Sequence, residues 1–253
     1  MHLEGQVAII TGGAKGIGKA ISEALLKEKV KVYIFDVDEV EMERVQERFN
    51  KEFGEGSTVC LKCDVTSQAD FENAVNEVFK KQNRLDILCN NAGIPPTSCK
   101  VKKLIDTNLT SVIRGTLLAL KYMDINNGGN GGNIIQMGSM SGLSYHPFHC
   151  EYTATKHGII GFTKGFAKEA SKRGVRMNVM CPSCVDTDLL KAVTDKDPVM
   201  KQAVDAMGVQ TVDIVSKGFM QLLHDEEKVG EVMRITVQNG IDFHTFPEEP
   251  IPV

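Results

Sequence analysis

Short apolar runs alternate with longer amphipathic stretches along the whole chain. Runs of strand length fall at Val7–Thr11, Val30–Phe35, Thr58–Cys63, Ile87–Asn90, Asn133–Met137, Arg176–Met180 and Glu231–Thr236. Between them, patterns of helical period begin near Ile17, Asp38, Ser67, Val101, Glu151 and Asp186, and a more broken helical stretch reaches about His224. Strands that are apolar at nearly every position, and that alternate with helices, predict a parallel sheet covered on both faces. The expected fold class is therefore α/β, a doubly wound, seven-stranded parallel sheet with helices on both sides. No proline-rich linker or shift of composition divides the chain, so residues 1–245 are expected to form one domain, followed by an extended tail at 246–253. Asn126 to Gly132 is too rich in glycine and asparagine to be anything but a turn. Cys184 to Asp213 lacks a clean period, as expected of a lid over a site at about 184–213.

Charge and cysteine content remove several functional classes. The chain of 253 residues carries 29 basic and 33 acidic side chains, a formal balance of −4, with no terminal block of like charge. Neither nucleic acid nor an acidic membrane surface is an expected partner. No apolar run approaches the roughly 20 residues that span a bilayer, and Met1-His2-Leu3-Glu4-Gly5 lacks the basic start and apolar stretch of a secretory signal. Seven cysteines, an odd number scattered over the chain, are read as free thiols of a cytoplasmic protein. Cys60/Cys63 and Cys181/Cys184 have metal-like spacing, but residues three apart on a strand point to opposite faces, so no metal is expected.

The first run ends in Thr11-Gly12-Gly13-Ala14-Lys15-Gly16-Ile17-Gly18, and a helical pattern follows at once. Glycines allow a tight strand-to-helix turn and close approach of a pyrophosphate, while the helix start offers unpaired N–H groups and partial positive charge. Asp36 closes the second run, where a carboxylate would bond the adenosine ribose hydroxyls and repel a 2′-phosphate. That favours NAD over NADP. Lys15 pulls mildly the other way, because a cation in the loop attracts phosphate. Farther on, Tyr152 and Lys156 open a helical pattern at i and i+4, on one face. A nearby ammonium favours phenolate, so Lys156 is expected to lower the pKa of Tyr152 and make it a usable base.

With these residues in place, the chain resembles the short-chain dehydrogenase/reductase family over essentially its whole length. The glycine motif matches at Gly12, Gly16 and Gly18, the structural motif at Asn90-Asn91-Ala92-Gly93 and the adenine-contacting pair at Asp64-Val65, while the catalytic tetrad falls on Asn108, Ser139, Tyr152 and Lys156. The resemblance implies a single-domain Rossmann fold and NAD-dependent oxidation of a secondary alcohol to a ketone. Tyr152 would take the hydroxyl proton, Lys156 would bond the nicotinamide ribose, Ser139 would hold the substrate oxygen, and Asn108 would hold a water linking Lys156 to solvent. It carries cofactor contacts to Lys15, Ile17 and Val37 beside the glycines and Asp36, to Asn91, Ala92 and Gly93, and to Pro182, Val185 and Thr187 after the sixth strand. Ser183 departs from the family's usual Pro-Gly pair, and strain is expected there if the position requires positive φ. The resemblance also implies a homodimer, formed through the helices at Val101–Tyr122 and Glu151–Ala170, whose apolar faces the sheet could equally satisfy.

Within the family, Met1-His2-Leu3, Tyr122-Met123 with the glycine turn, and Lys156 to Thr163 are similar to members that oxidise a prostaglandin-type lipid hydroxyl. The stretch His146, Phe148, His149 and Cys150 diverges from them, and His149 stands where a polar residue can touch the substrate hydroxyl. A metal held by His146, His149 and Cys150 is not expected, since the tetrad needs none. Val185, Leu189, Leu190, Val193, Val199, Met200, Val204 and Met207 either wall an apolar site or form the core of the lid helices, the second being the more ordinary arrangement. A steroid, retinoid or isoprenoid alcohol of the farnesol kind remains open as substrate. So does a catalytically idle dinucleotide-binding or storage protein on the same fold.

Overall fold

A computed structural model describes residues 2–96, 100–145 and 149–247. Among the described residues, eight strands form one sheet in the order β3-β2-β1-β4-β5-β6-β7-β8. They are β1 Val7–Thr11, β2 Lys31–Asp36, β3 Thr58–Lys62, β4 Ile87–Asn90, β5 Gly132–Met137, β6 Val175–Pro182, β7 Val232–Thr236 and β8 Gly240–Phe243. β1 to β7 run parallel and β8 returns antiparallel along β7. The helices are α1 Gly16–Lys27, α2 Glu39–Phe53, α3 Gln68–Gln82, α4 Val101–Ile105, α5 Ser111–Met123, α6 Cys150–Ser171, α7 Asp188–Thr194, α8 Pro198–Met207 and α9 Val212–His224.

The alternation of side chains explains why the strands are apolar throughout. Along β1, Ala8 and Ile10 enter one core with α1, α2 and α9, while Val7 and Ile9 enter the other with α3, α5 and α6. β2 repeats the division, with Val32 and Ile34 on the first side and Tyr33 and Phe35 on the second. A strand buried on both faces has no polar side to show.

The expected doubly wound sheet is present, with one strand more than the apolar runs indicated. β8 is Gly-Ile-Asp-Phe, half-buried along its length, so it has neither a continuous apolar run nor a clean alternation. It is joined to β7 across a turn ending in Asn239-Gly240, where Gly240 has φ +67°, and is tied by a bidentate Arg234–Asp242 pair at 2.7 and 2.6 Å. The helix expected at Val101–Tyr122 is also interrupted. Asp106–Thr110 forms a π turn between α4 and α5, a widening that brings one side chain out of register and often marks a functional position.

Strand order reverses between β1 and β4, and this opens a crevice at their carboxyl ends. Behind it lies a buried polar cluster joining β4, β5 and α5. Asn90 Nδ2 donates to Gln136 Oε1 at 2.8 Å and Gln136 Nε2 donates to Thr116 Oγ1 at 2.7 Å, with all three residues buried. Gln136→Ala removes the shortest of the bonds to Asn90 and the amide donor to Thr116, and leaves a void in the interior. It should lower the free energy of unfolding by about 2–4 kcal/mol, read from urea melts of unchanged slope; a loss below about 0.5 kcal/mol would show that the cluster is not what holds these elements together.

Candidate active site

β1 ends at Thr11 and the chain turns sharply into α1. Gly12 has φ +63°, and a Cβ there would lie 2.9 Å from Ala92 Cα, so the loop can pass this close to the chain after β4 only as glycine. Gly18 serves packing: a Cβ on it would lie 2.2 Å from Gly12 O. Asn91 fastens the two loops together. Its Nδ2 donates to Thr11 O and Gly12 O, both at 2.9 Å, while Thr11 Oγ1 accepts from the N–H groups of Asn91 and Ala92 at 3.0 Å. The start of α1 faces the crevice with no described side chain capping it and no acid in its first turn. Its unpaired N–H groups and the glycine cradle fit an anionic pyrophosphate.

Asp36 sits at the end of β2 with its carboxylate turned toward this loop. Oδ2 accepts from Ala14 N at 3.1 Å, and Oδ1 accepts from Val37 N at 2.8 Å and Asp38 N at 3.2 Å. Lys15 pairs with Asp38 at 2.7 Å. The cation that might have attracted an extra phosphate therefore has a carboxylate beside it.

On the other side of β4, the π turn presents Asn108, fully buried. Its Oδ1 accepts from Ile94 N and its Nδ2 donates to Ile94 O, both at 2.9 Å. The side chain expected to hold a water thus bonds the loop after β4 through both of its polar atoms. Ser139 follows β5 and caps a short 3₁₀ turn, its Oγ accepting from Ser141 N at 3.1 Å. Its hydroxyl is also hydrogen-bonded to the Tyr152 phenol, which ties the two side chains together at the cleft. Tyr152 and Lys156, one turn apart on α6, point into the same region. Lys156 is buried and donates to Met137 O at 2.8 Å, with Nζ 5.5 Å from the centre of the Tyr152 ring.

These elements enclose a cleft of about 610 Å³. Gly12, Lys15, Gly16, Ile17, Asp36, Val37, Asp64, Val65, Asn91, Ala92 and Gly93 line it. So do Ser139, His149, Tyr152, Lys156, Val185 and Thr187, while Gly18, Asn108 and Pro182 stay behind the wall. A family model described as short chain dehydrogenase matches residues 6–198. The chain belongs to the short-chain dehydrogenase family.

Full-length relatives agree. A mouse NAD(+)-dependent 15-hydroxyprostaglandin dehydrogenase is 38% identical over 264 residues, covering 100% of this chain and 98% of the relative. The human protein of that name is 35% identical, with 99% and 98% covered. Among solved structures, gox2181 matches with a TM-score of 0.81 at 28% identity, over 92% of this chain and 95% of that one. As a short-chain dehydrogenase, the chain is an oxidoreductase of CH–OH groups.

The lid corrects the more ordinary expectation for its apolar residues. Val185, Leu189, Leu190, Val193, Met200, Val204 and Met207 all line the cleft of this dehydrogenase, whereas Val199, 57% exposed, does not. Ser183 carries no left-handed strain, because the described non-glycine residues with positive φ are Lys29 and Asn83. Sequence reasoning missed Asp38, which pairs with Lys15 and also caps α2 through Glu41 N; an aspartate just before a helical pattern was the available signal. It also missed Met140, Ser141 and Lys103 in the wall, whose surroundings depend on contacts remote in sequence. His146 and Phe148 lie outside the described residues.

Electrostatics reverse one expectation. Burial pushes the Tyr152 phenol up to about 12, and the hydrogen bond with Ser139 lowers it only in part. Lys156 sits against the ring face and donates to a backbone carbonyl, so it does not offset that burial. Lys156 itself is pushed down to about 8 by burial. Between about pH 8 and 10.5 the unfolded chain holds a proton at this lysine that the folded chain has released, so folding gains stability as pH rises through that window. Relative to Lys156→Met, the parent should gain up to about 3 kcal/mol between pH 7.5 and 10.5, measured by denaturant unfolding at each pH. A constant difference between the two proteins would show that the ammonium is not desolvated.

Proposed function

We propose that this short-chain dehydrogenase oxidises a secondary alcohol of a lipid to the ketone, with NAD as cofactor and a prostaglandin-type hydroxyl as the preferred substrate. The observation that carries the reading is the convergence of Tyr152, Ser139 and Lys156 on one cleft, whose remaining wall is the apolar underside of the lid. The relatives' printed names supply the hydroxyl and the cofactor. Asp36 and the Lys15–Asp38 pair support NAD independently, since two carboxylates repel a 2′-phosphate and the cation of the glycine loop is engaged.

When bound, nicotinamide supplies the acceptor for the hydride of the carbinol carbon. The chain's own residues handle the proton and the geometry. For Tyr152 to take the hydroxyl proton, its phenol must first release its own to solvent, which the positive charge of Lys156 and of a bound nicotinamide would favour. Ser139 would then donate to the same substrate oxygen and hold it in place as carbonyl character develops. His149 lines the cleft, and its Nε2 is buried without a hydrogen-bond partner among the described residues. A substrate hydroxyl or ring oxygen would satisfy it. Lys156, held by Met137 O, keeps positive charge beside the phenol and reaches the ribose position. Gly12, Gly16, Ile17 and Lys15 would cradle the pyrophosphate, Asp64 and Val65 would meet the adenine, and Asn91, Ala92, Gly93, Val185 and Thr187 would hold the nicotinamide half.

The domain spans residues 1–245 with its lid near 184–213. A homodimer fits the exposed side of α5 and α6, where Leu117 is 48% exposed and Gly161 and Gly165 leave room for close helix approach. A cytoplasmic location accords with thiols kept reduced, and no described helix is long and apolar enough to cross a membrane.

NADH formation tests the reading, using purified protein with a 15-hydroxyprostaglandin, a steroid alcohol, farnesol and a short secondary alcohol, each with NAD and with NADP. The prostaglandin with NAD should exceed the other pairs by at least about tenfold in kcat/KM, and Asp36→Ala should shift the NAD-to-NADP preference toward NADP by a similar factor, the scale of one lost charge-assisted bond. Preference for the steroid or farnesol would replace the substrate, and an unmoved cofactor ratio would remove Asp36 from its role.

A further inference from the structure

The lid leaves the sheet and returns to it at one point. β6 ends at Pro182, and the next residue continues the ladder, Ser183 N–H donating to Ile235 O on β7 at 2.9 Å. After α7 and α8 the chain comes back at Gln210, just before α9. Gln210 joins the two ends through its backbone. Its N–H donates to Cys184 O and its C=O accepts from Asp186 N, both at 2.8 Å, and Val185 pairs with it as a parallel bridge. The side chain adds a second fastening: Nε2 donates one proton to Ser183 Oγ at 2.7 Å and the other to Ile235 O at 2.9 Å. Gln210 is only 7% exposed, so water cannot replace a lost partner cheaply.

Ser183 stands where the resemblance to the family leads one to expect glycine, and glycine has no atom to receive the Gln210 amide. The departure at one end of the lid thus meets a matching donor 27 residues farther along the chain. The lid needs such an anchor. α7 and α8 each bury a single side chain, Val193 and Val204, and both face the cleft. A segment with so little buried surface takes its position from its ends.

We propose that Ser183 and Gln210 are a pair of positioning residues that fix the base of the lid, and through it set Val185 and Thr187 in the wall of the cleft. The route from anchor to site is short. Thr187 Oγ1 donates to Val185 O at 3.2 Å and accepts from Leu190 N at 3.3 Å, which starts α7. On its other side, Thr187 Cγ2 lies 3.2 Å from where a Cβ on Gly16 would be, so Thr187 packs against the glycine loop. A displaced base moves this threonine and the lid helices together. The functional consequence rests on the alcohol-dehydrogenase reading of the cleft; the anchoring itself does not.

The test compares the full-length parent with Ser183→Ala, Ser183→Thr, Gln210→Ala and the Ser183→Ala/Gln210→Ala double variant. Hydrogen exchange of the lid amides and steady-state kinetics with NAD are the two readouts. Ser183→Ala should speed exchange of the amides between Cys184 and Gln210 by about five- to tenfold, the ratio for one net hydrogen bond, and Gln210→Ala, which loses the bond to Ile235 O as well, should speed it further. Ser183→Thr, which keeps the hydroxyl, should match the parent, and the double variant should be no faster than Gln210→Ala. KM for the alcohol should rise by a similar factor with kcat little changed and exchange in β1 to β6 unaltered. Unchanged lid exchange overturns the proposal, as do effects that multiply in the double variant or a loss of protection across the whole sheet. Should no alcohol be oxidised by the parent, the functional reading fails while the exchange data still decide the anchor.

Discussion

The site depends on how two strand ends are held against each other. β1 and β4 are neighbours in the sheet although two other strands separate them in sequence, and the loops that follow them would diverge if left alone. Thr11 and Asn91 prevent this, through bonds in both directions between the glycine turn and the chain after β4. Once that junction is fixed, the uncapped start of α1 points into the crevice on one side, and the loop to Ile94 crosses the other. Asn108 then fastens Ile94 from the π turn, so the widened helix and the strand end support one another.

The chemistry of the cleft follows from burial more than from charge pairing. A phenol raised to about 12 and an ammonium lowered to about 8 are two results of the same cause, removal from water. Tyr152 in this structure holds its proton firmly at neutral pH, and Lys156 keeps most of its charge there. The helical spacing that brings the pair together therefore sets position first. Ser139, whose Oγ accepts from Ser141 N and which is hydrogen-bonded to the phenol, stands at the place where a substrate oxygen would meet Tyr152.

Much of this was legible in the sequence. Strands buried on both faces leave an apolar run that local pattern detects, and a glycine turn, an acidic strand end and a Tyr–Lys pair one turn apart are short-range features. What was hidden depends on residues distant along the chain. β8 gave no apolar run because an edge strand carries Asp242 for Arg234 of its neighbour. The direction of the Tyr152 shift needed the depth of the cleft, which spacing on one helix cannot supply. The role of Ser183 was invisible because its partner Gln210 lies beyond two helices. The lid residues were ambiguous for a related reason: an apolar face that walls a cleft and one that fills a core have the same pattern.

The central claim is that Tyr152 handles the substrate proton in this cleft. The most direct measurement is NAD-dependent oxidation of a 15-hydroxyprostaglandin by the parent and by Tyr152→Phe, with NADH binding followed by fluorescence in both. The account predicts that the variant loses about 10³-fold in kcat, within the range for removing a general base, while NADH affinity stays within about twofold because the cradle that holds it is untouched. Undiminished oxidation by Tyr152→Phe would contradict it.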